Sequence, residues 1–346
     1  MPKIFGNQLT KTEILKRVGD ISQIAGAIRY TYSEGKAKGT NAIEVKTGAG
    51  LRFVILPDRG MDIAYAEVNG IPFSYISKTG VISPVHYDEK DFLRSFTGGL
   101  LTTCGLTYMG APCVDEGVSL GAHGRISNTP AFDVSINQDW DENCDYVIEV
   151  VGKVRESSMF GDNLVLKRTI TAFLGENKIY LHDEIENAGF NKSPLMVLYH
   201  MNFGYPLLSE NSVLNTNCIN MRPRDDDATR GVYKTTEFSA PVKDYKEQVF
   251  YRDSVESSYV TLTNPDLGAM VKLEFSAEQL PYFVEWKQVG EQDYVVGLEP
   301  ATNPPDGRAA IRARNELNFL DPMQKRDFDI ILSFEACDVS SVHAKG

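Results

Sequence analysis

Three consecutive runs, "YVIEVVGKVRES" (146–157), "NLVLKRTITAFLG" (163–175) and "NKIYLHDEIENAG" (177–189), decide the fold. Polar and apolar residues alternate along each, the period of a strand with one buried face. In the third run Ile179, Leu181 and Asp183 fall on one face, and Tyr180, His182 and Glu184 on the other. The linkers "SMFGD" and "GEN" are polar and far too short for the crossover that a parallel pair requires. The runs therefore predict an antiparallel meander.

The rest of the chain extends this pattern. "NAIEVKT" (41–47) and "LRFVILPD" (51–58) are β-rich runs split by Gly48-Ala49-Gly50. "DIAYAEVNGIPFSYIS" (62–77) carries Asn69-Gly70 between two β-prone runs, a strong hairpin signal. "SYVTLTNPDLGAMVKLEFS" (258–276) reads as a hairpin around Asn264-Pro265-Asp266, and "FDIILSFEA" (328–336) as a last strand. One early segment reads as helix. Thr10 and Glu13 form a capping box, and Ile14, Leu15, Val18 and Ile21 follow at helical spacing. Alternating βα units are missing, which argues against a doubly wound sheet. "RPRDDDATRG" (222–231) reads as a polar surface loop, and no repeat or low-complexity linker divides the chain. The expectation is an all-β protein, a large antiparallel β-sandwich filling residues 1–346 as one domain, with 1–30 as a helical N-terminal extension.

Composition narrows the function. A net charge of −12 argues against nucleic acid or an anionic membrane as partner. No apolar run approaches the roughly 20 residues that span a bilayer. The start, "MPKIFGNQLTKTEILKR", lacks the apolar core of a signal peptide. The five cysteines (104, 113, 144, 218 and 337) are scattered, odd in number and without CxxC spacing. A reduced, cytoplasmic protein without a disulfide framework or thiolate zinc site is expected.

Three stretches are too irregular for ordinary strand. Residues 96–130 are rich in glycine and hold His123 in "HGRISN"; "YHMNFGYP" (199–206) surrounds His200; "YVVGLEPATNPPDGR" (294–308) holds Glu299. Each places one titratable group at a strand end or loop, where functional groups tend to be displayed. Each also has a plain structural reading. His200 fits a hydrogen-bonded core histidine, Glu299 a turn cap or a partner of Arg308, and His123 a loop that needs close backbone approach. His86 and His343 read as solvated, His182 as structural, and Cys104 as a small buried hydrophobe. By residue type His200, His123 and Glu299 also match a two-histidine, one-carboxylate metal set, but no HxH or HxxE spacing supports it. HExxH, a P-loop and a strand-linked GxGxxG are absent, so the corresponding zinc-protease, NTPase and dehydrogenase readings lose support.

Taken in order, the three stretches resemble the aldose 1-epimerase (galactose mutarotase-like) superfamily. The resemblance rests on His123-Gly124 after a Gly-rich loop, His200 with Phe203 as an HxxF motif, and Leu298-Glu299-Pro300-Ala301 followed by Pro305-Asp306. "GGLLTTCGL" and Trp286 in "VEWK" are similar to the hexose-6-phosphate branch, and the likeness runs from about residue 50 to the end. It implies a galactose mutarotase-like β-supersandwich that interconverts sugar anomers without metal or cofactor. In that reading Glu299 is the base, His200 the acid and His123 a second donor near the ring oxygen. Arg59, Arg125, Asn202 and Trp286 are the implied sugar contacts, Arg59 being equally readable as a turn salt bridge with Asp58 or Asp62.

The chain departs from the pattern at Asn202 and Gly204, where Tyr and Asn are usual, and at Ala301, where many members carry Gln. "HGRISN" differs from the HGxxR of the phosphate branch. These departures place it with an uncharacterised bacterial branch. The expected partner is a small-molecule sugar or sugar derivative, free or phosphorylated, with a homodimer permitted. The rival functions are a sugar-binding protein without turnover and a sugar isomerase or epimerase acting at another carbon.

Overall fold

The computed structural model describes residues 1–336, so Cys337 and His343 lie outside the described residues. The three runs form adjacent antiparallel strands, Tyr146–Ser157, Asn163–Phe173 and Lys178–Asn187. They belong to an eight-stranded sheet, which the strand Lys325–Ala336 joins next to Lys178–Asn187. The alternation read from sequence is the burial pattern: Ile148, Val150, Leu166, Ile170, Ile179 and Leu181 point into the core. Each such side chain contributes roughly 1.5–3 kcal/mol on leaving water.

A six-stranded sheet faces it, in the spatial order Ile219–Pro223, Gln248–Asp253, Tyr282–Val289, Tyr294–Ala301, Leu198–Gly204 and Thr102–Cys104. A five-stranded N-terminal sheet, Gly26–Thr31 through Ile71–Pro72, continues it through bridges from Ile63 to Leu101 and from Ser74 to Phe203. Phe53, Ile63, Phe203, Phe283, Val296 and Leu298 supply this layer's half of the core. The molecule is thus an all-β antiparallel supersandwich. Asn69 and Gly70 turn the expected hairpin with φ of 52° and 80°, the left-handed pair that a two-residue turn needs.

The N-terminal helix is shorter than its apolar spacing predicts. The capping box of Thr10 and Glu13 is present, but the helix covers only Lys11–Leu15 and buries only Ile14. Gly19 and Asp20 follow, and Asp20 caps a separate turn at Ile21–Gln23. A helix this short lacks propagation to offset its costly nucleus, so packing of one side chain sets its length.

Two features of the sandwich position the site. Strand Leu198–Gly204 is buried along its whole length. Tyr199, Met201 and Phe203 face the main core, while Leu198 joins a second apolar cluster with Cys104, Met109, Val284, Ala301 and Ile311 on the outer face. Helix Arg308–Ala313 contributes Ile311 to that cluster. The outer face of the six-stranded sheet is therefore packed, and it can carry a rigid floor.

On the inner face lies a buried ion cluster. Arg168, fully buried, donates from Nε and Nη2 to both carboxylate oxygens of Asp183 at 2.8 and 2.7 Å, and from Nη1 to Asp62 at 3.0 Å. Tyr199 donates to Asp183 at 2.8 Å, and Asp62 accepts from the backbone and hydroxyl of Thr103 at 3.0 and 2.6 Å. The cluster ties the eight-stranded sheet to the two strands beneath the site.

Candidate active site

His200 and Glu299 meet because their strands are neighbours. Strand Leu198–Gly204 pairs with Tyr294–Ala301 in a register that sets Met201 opposite Leu298 and Asn202 opposite Gly297. Met201 and Leu298 face the core, so the period of two sends His200 and Glu299 to the outer face together. Nε2 of His200 lies 3.2 Å from Oε1 of Glu299. The approach is unaligned, for that oxygen has no hydrogen-bond partner, and neither has Nδ1 of His200. Both residues are nearly inaccessible, at 6% and 2% exposure.

Gly297 makes room for the pair. A Cβ there would fall on Oε1 of Glu299 and come within 3.2 Å of the His200 ring and of Trp286. Gly297→Ala should therefore lose about 1–3 kcal/mol of stability by overpacking. Urea denaturation measures it, and an unchanged midpoint would show that the floor yields.

His123 reaches the same place from the Gly-rich loop. Its backbone is left-handed, with φ of 59°, and is pinned by bonds from its own N–H to Gly110 and from the Gly105 N–H to its carbonyl. Strained backbone of this kind persists where surrounding contacts over-determine it. Gly124 is required next to it, since a Cβ would strike the carbonyl of Gly105. The His123 ring packs on Phe92 at 4.9 Å and lies 6.0 Å from His200. Phe96 and Trp286 flank His200 at 5.2 and 5.3 Å.

These groups line a cavity of about 680 Å³, the size of a small-molecule site. A larger open groove of about 1060 Å³ includes Glu274 and Asp329 on the eight-stranded sheet, but none of the predicted site residues lines it. Of its acids, Asp329 is held by His182 and Gln279, and Glu274 by Lys272. Among the described residues no group of three His, Cys, Asp or Glu converges as a metal-ligand set.

Burial governs the charges. Desolvation lowers His200 to about 3, helped by nearby His123, and lowers His123 to about 4. Desolvation likewise pushes Glu299 well above the usual carboxylate range; Glu247 adds to this and Arg224 opposes it. Burial thus disfavours charge on both groups and favours a neutral carboxyl beside a neutral imidazole. A charged pair at 3.2 Å has no aligned hydrogen bond to offset two desolvated ions, so the neutral form wins. The acid role that the resemblance implies for His200 needs a protonated ring, and the burial of this ring opposes that charge.

The remaining predicted residues separate. Trp286 is in the cavity wall and donates its indole N–H to Glu247 at 2.7 Å. Arg59 is buried off the wall and donates to the carbonyls of Ile82 and Ser95 at 3.0 and 2.9 Å, with no direct salt bridge to Asp58 or Asp62. Arg125, also off the wall, binds Glu89 at 2.6 Å and packs over Tyr108. Asn202 lies under His200, bonded to that residue's carbonyl. Arg308, a suggested partner for Glu299, instead binds Asp115 at 2.6 Å and joins the Gly-rich loop to helix Arg308–Ala313.

Sequence reasoning missed Glu247, Arg224, Tyr251 and Asp306. Arg224 donates to Glu247 at 2.9 Å, and Tyr251 donates to Asp306 at 2.9 Å. Asp306 had a signal, the Pro305-Asp306 pair. Arg224 lies in the loop read only as polar surface, and Glu247 and Tyr251 lie just before and within the strand Gln248–Asp253, which no motif marks. Phe92 precedes the Gly-rich stretch and Phe96 opens it, with no periodicity to flag either.

The comparisons fit this architecture. An aldose 1-epimerase candidate from Klebsiella pneumoniae superposes with a TM-score of 0.84 at 23% identity, over 93% of this chain and 91% of that one. A galactose mutarotase-like protein from Clostridium acetobutylicum gives 0.63 at 15% identity, over 91% of this chain and all of that one. The galactose 1-epimerase of Lactobacillus acidophilus gives 0.61 at 14% identity, over 90% and 99%. At such identities the likeness is one of fold, and it defines that fold as all-β and galactose mutarotase-like. The chain belongs to the family described as Domain of unknown function (DUF4432), whose model matches residues 37–334. No curated protein sequence matches it.

Proposed function

We propose that this protein interconverts the anomers of an aldose by opening and reclosing its ring. The reading is carried by one observation, the buried His200–Glu299 pair 3.2 Å apart beside Trp286 in a closed-floored cavity. Glu299 takes the proton of the anomeric hydroxyl O1 while the bond from C1 to the ring oxygen breaks. C1 becomes a carbonyl carbon, and the ring oxygen receives a proton from His200. After rotation about C1–C2 the ring oxygen attacks the other carbonyl face and both protons return, so the protein ends as it began. Two such proton transfers contribute roughly 10²–10⁴-fold each.

The resting proton must first move from Glu299 to His200. The two atoms are 3.2 Å apart, and a sugar hydroxyl donating to the carboxylate favours its charged form. The move is internal to the pair, so the working state requires no proton from solvent. The one-proton state spans the interval from the depressed His200 value, about 3, to the raised Glu299 value. Catalysed exchange should therefore be flat above the depressed His200 value until the raised Glu299 value is reached, without the rise and fall of a solvated histidine near 6.5.

The test is exchange-rate NMR with a panel of aldoses and their phosphates, with the buffer rate subtracted at each pH. Exchange no faster than buffer for every sugar would end the enzyme reading. The neutral resting histidine favours a second reading, a sugar-binding protein without turnover. Its mark would be a saturable change in Trp286 fluorescence with no gain in exchange.

A further inference from the structure

Asn202 is completely buried two residues after His200, so both side chains leave the same face of the strand. Its Nδ2 donates to the carbonyl of His200 at 2.8 Å. With the nitrogen engaged there, the carboxamide oxygen is turned away, and it has no donor. Nδ1 of His200 is buried and has no partner either, so the two atoms are not bonded to each other in this structure and a side-chain rotation is needed to join them. One group is an acceptor lacking a donor; the other is a ring nitrogen that becomes a donor in one of two tautomers.

The surroundings leave little else for Nδ1. Glu299 stands at Nε2, and the rings of Phe96 and Trp286 flank the imidazole without offering a strong acceptor. The His123 ring is 6.0 Å away. The Asn202 carboxamide also favours the protonated ring, in opposition to burial.

We propose that Asn202 is a positioning residue that holds His200 as the Nδ1–H tautomer, leaving Nε2 to exchange the proton with Glu299 and the sugar ring oxygen. The part played by the sugar rests on the acid–base reading above; the tautomer does not. When Nε2 takes the proton from Glu299, Nδ1–H stays on Asn202 and the imidazolium donates from both nitrogens. When Nε2 gives it up, the same tautomer returns. The residue expected from sequence to touch the sugar then acts through the histidine. Its neutrality matters, because an Asp here would bury a further charge.

Long-range proton–nitrogen NMR on ¹⁵N-histidine protein reads the tautomer directly, with His200 assigned by the loss of its signals in His200→Phe. The expected wild-type spectrum has Nδ1 protonated and Nε2 bare. Asn202→Leu, which keeps volume but removes the acceptor, should lose that preference. Its kcat should fall by about tenfold to a hundredfold with KM little changed, as for outer-shell partners of histidines generally. Asn202→Asp keeps an acceptor and should keep the tautomer, which preserves the test if the Leu variant does not fold. A wild-type Nε2–H tautomer, or an Asn202→Leu protein that retains Nδ1–H, overturns the proposal. If the tautomer is as expected but no protein exchanges any sugar, the positioning stands and the acid–base reading falls.

Discussion

Replacing Glu299 by Gln should slow anomer exchange by about 10²–10⁴-fold and leave the fold in place. The amide has the shape of the neutral carboxyl but cannot release or accept the O1 proton. The same change should raise stability at neutral pH. Glu299 has a folded-state value well above its unfolded one, so its burial weakens the protein as pH rises from the unfolded value through the folded one. Gln removes that term. Exchange NMR and thermal melts at neutral and mildly acidic pH check both parts, and the gain in melting temperature should shrink on acidification. His200 and His123 act in the opposite sense. Their lowered values cost stability as pH falls from about 6.5 toward about 4 and below, where unfolded histidines hold protons that the folded ones refuse. A Glu299→Gln protein with full activity would remove the carboxyl from the mechanism.

Arg168→Met should cost about 3–5 kcal/mol, more than any other single change considered, because it leaves Asp62 and Asp183 buried without the guanidinium that pairs with both. The loss is a desolvation effect and not the net worth of the ion pairs. Changing Asp62 and Asp183 to Asn in the same protein should therefore recover much of it. Urea denaturation of the single and triple variants makes the comparison. If the single variant is as stable as the wild type, the cluster carries no charge imbalance when opened. Tyr199 and Thr103 both bond to the cluster, so the single variant should also loosen the strand that carries His200.

Much of this was legible in the sequence, and for a physical reason. The alternation in 146–189 survives as burial because each strand has one face on the core, and Asn69-Gly70 marks its hairpin because few other residues accept that backbone. The ion cluster was half visible. Asp183 shares a face with Ile179 and Leu181, and Arg168 occupies the matching inward place among Leu164, Leu166, Ile170 and Ala172. A charged residue on each of two neighbouring inward faces is a pairing signal, and the two are register partners. The site was legible only as three separated irregular stretches. What brings His200 beside Glu299 is a strand register, and what neutralises them is burial; neither is local in sequence. Arg59 misled for the complementary reason, since a cation beside a turn looks available until the backbone carbonyls of Ile82 and Ser95 are seen to hold it.

The reactive pair stands on two paired strands, whereas the far walls of the cavity come from the strap around Phe92, the Gly-rich loop and the loop carrying Asp306. Chemistry and selectivity therefore have different owners. A lengthened strap or an altered loop changes which molecule fits, and the proton pair keeps its register because β-ladder bonds and the Arg168 cluster fix it from below. Changes at the rim alone can alter which small molecule the cavity admits and leave the His200–Glu299 register unchanged.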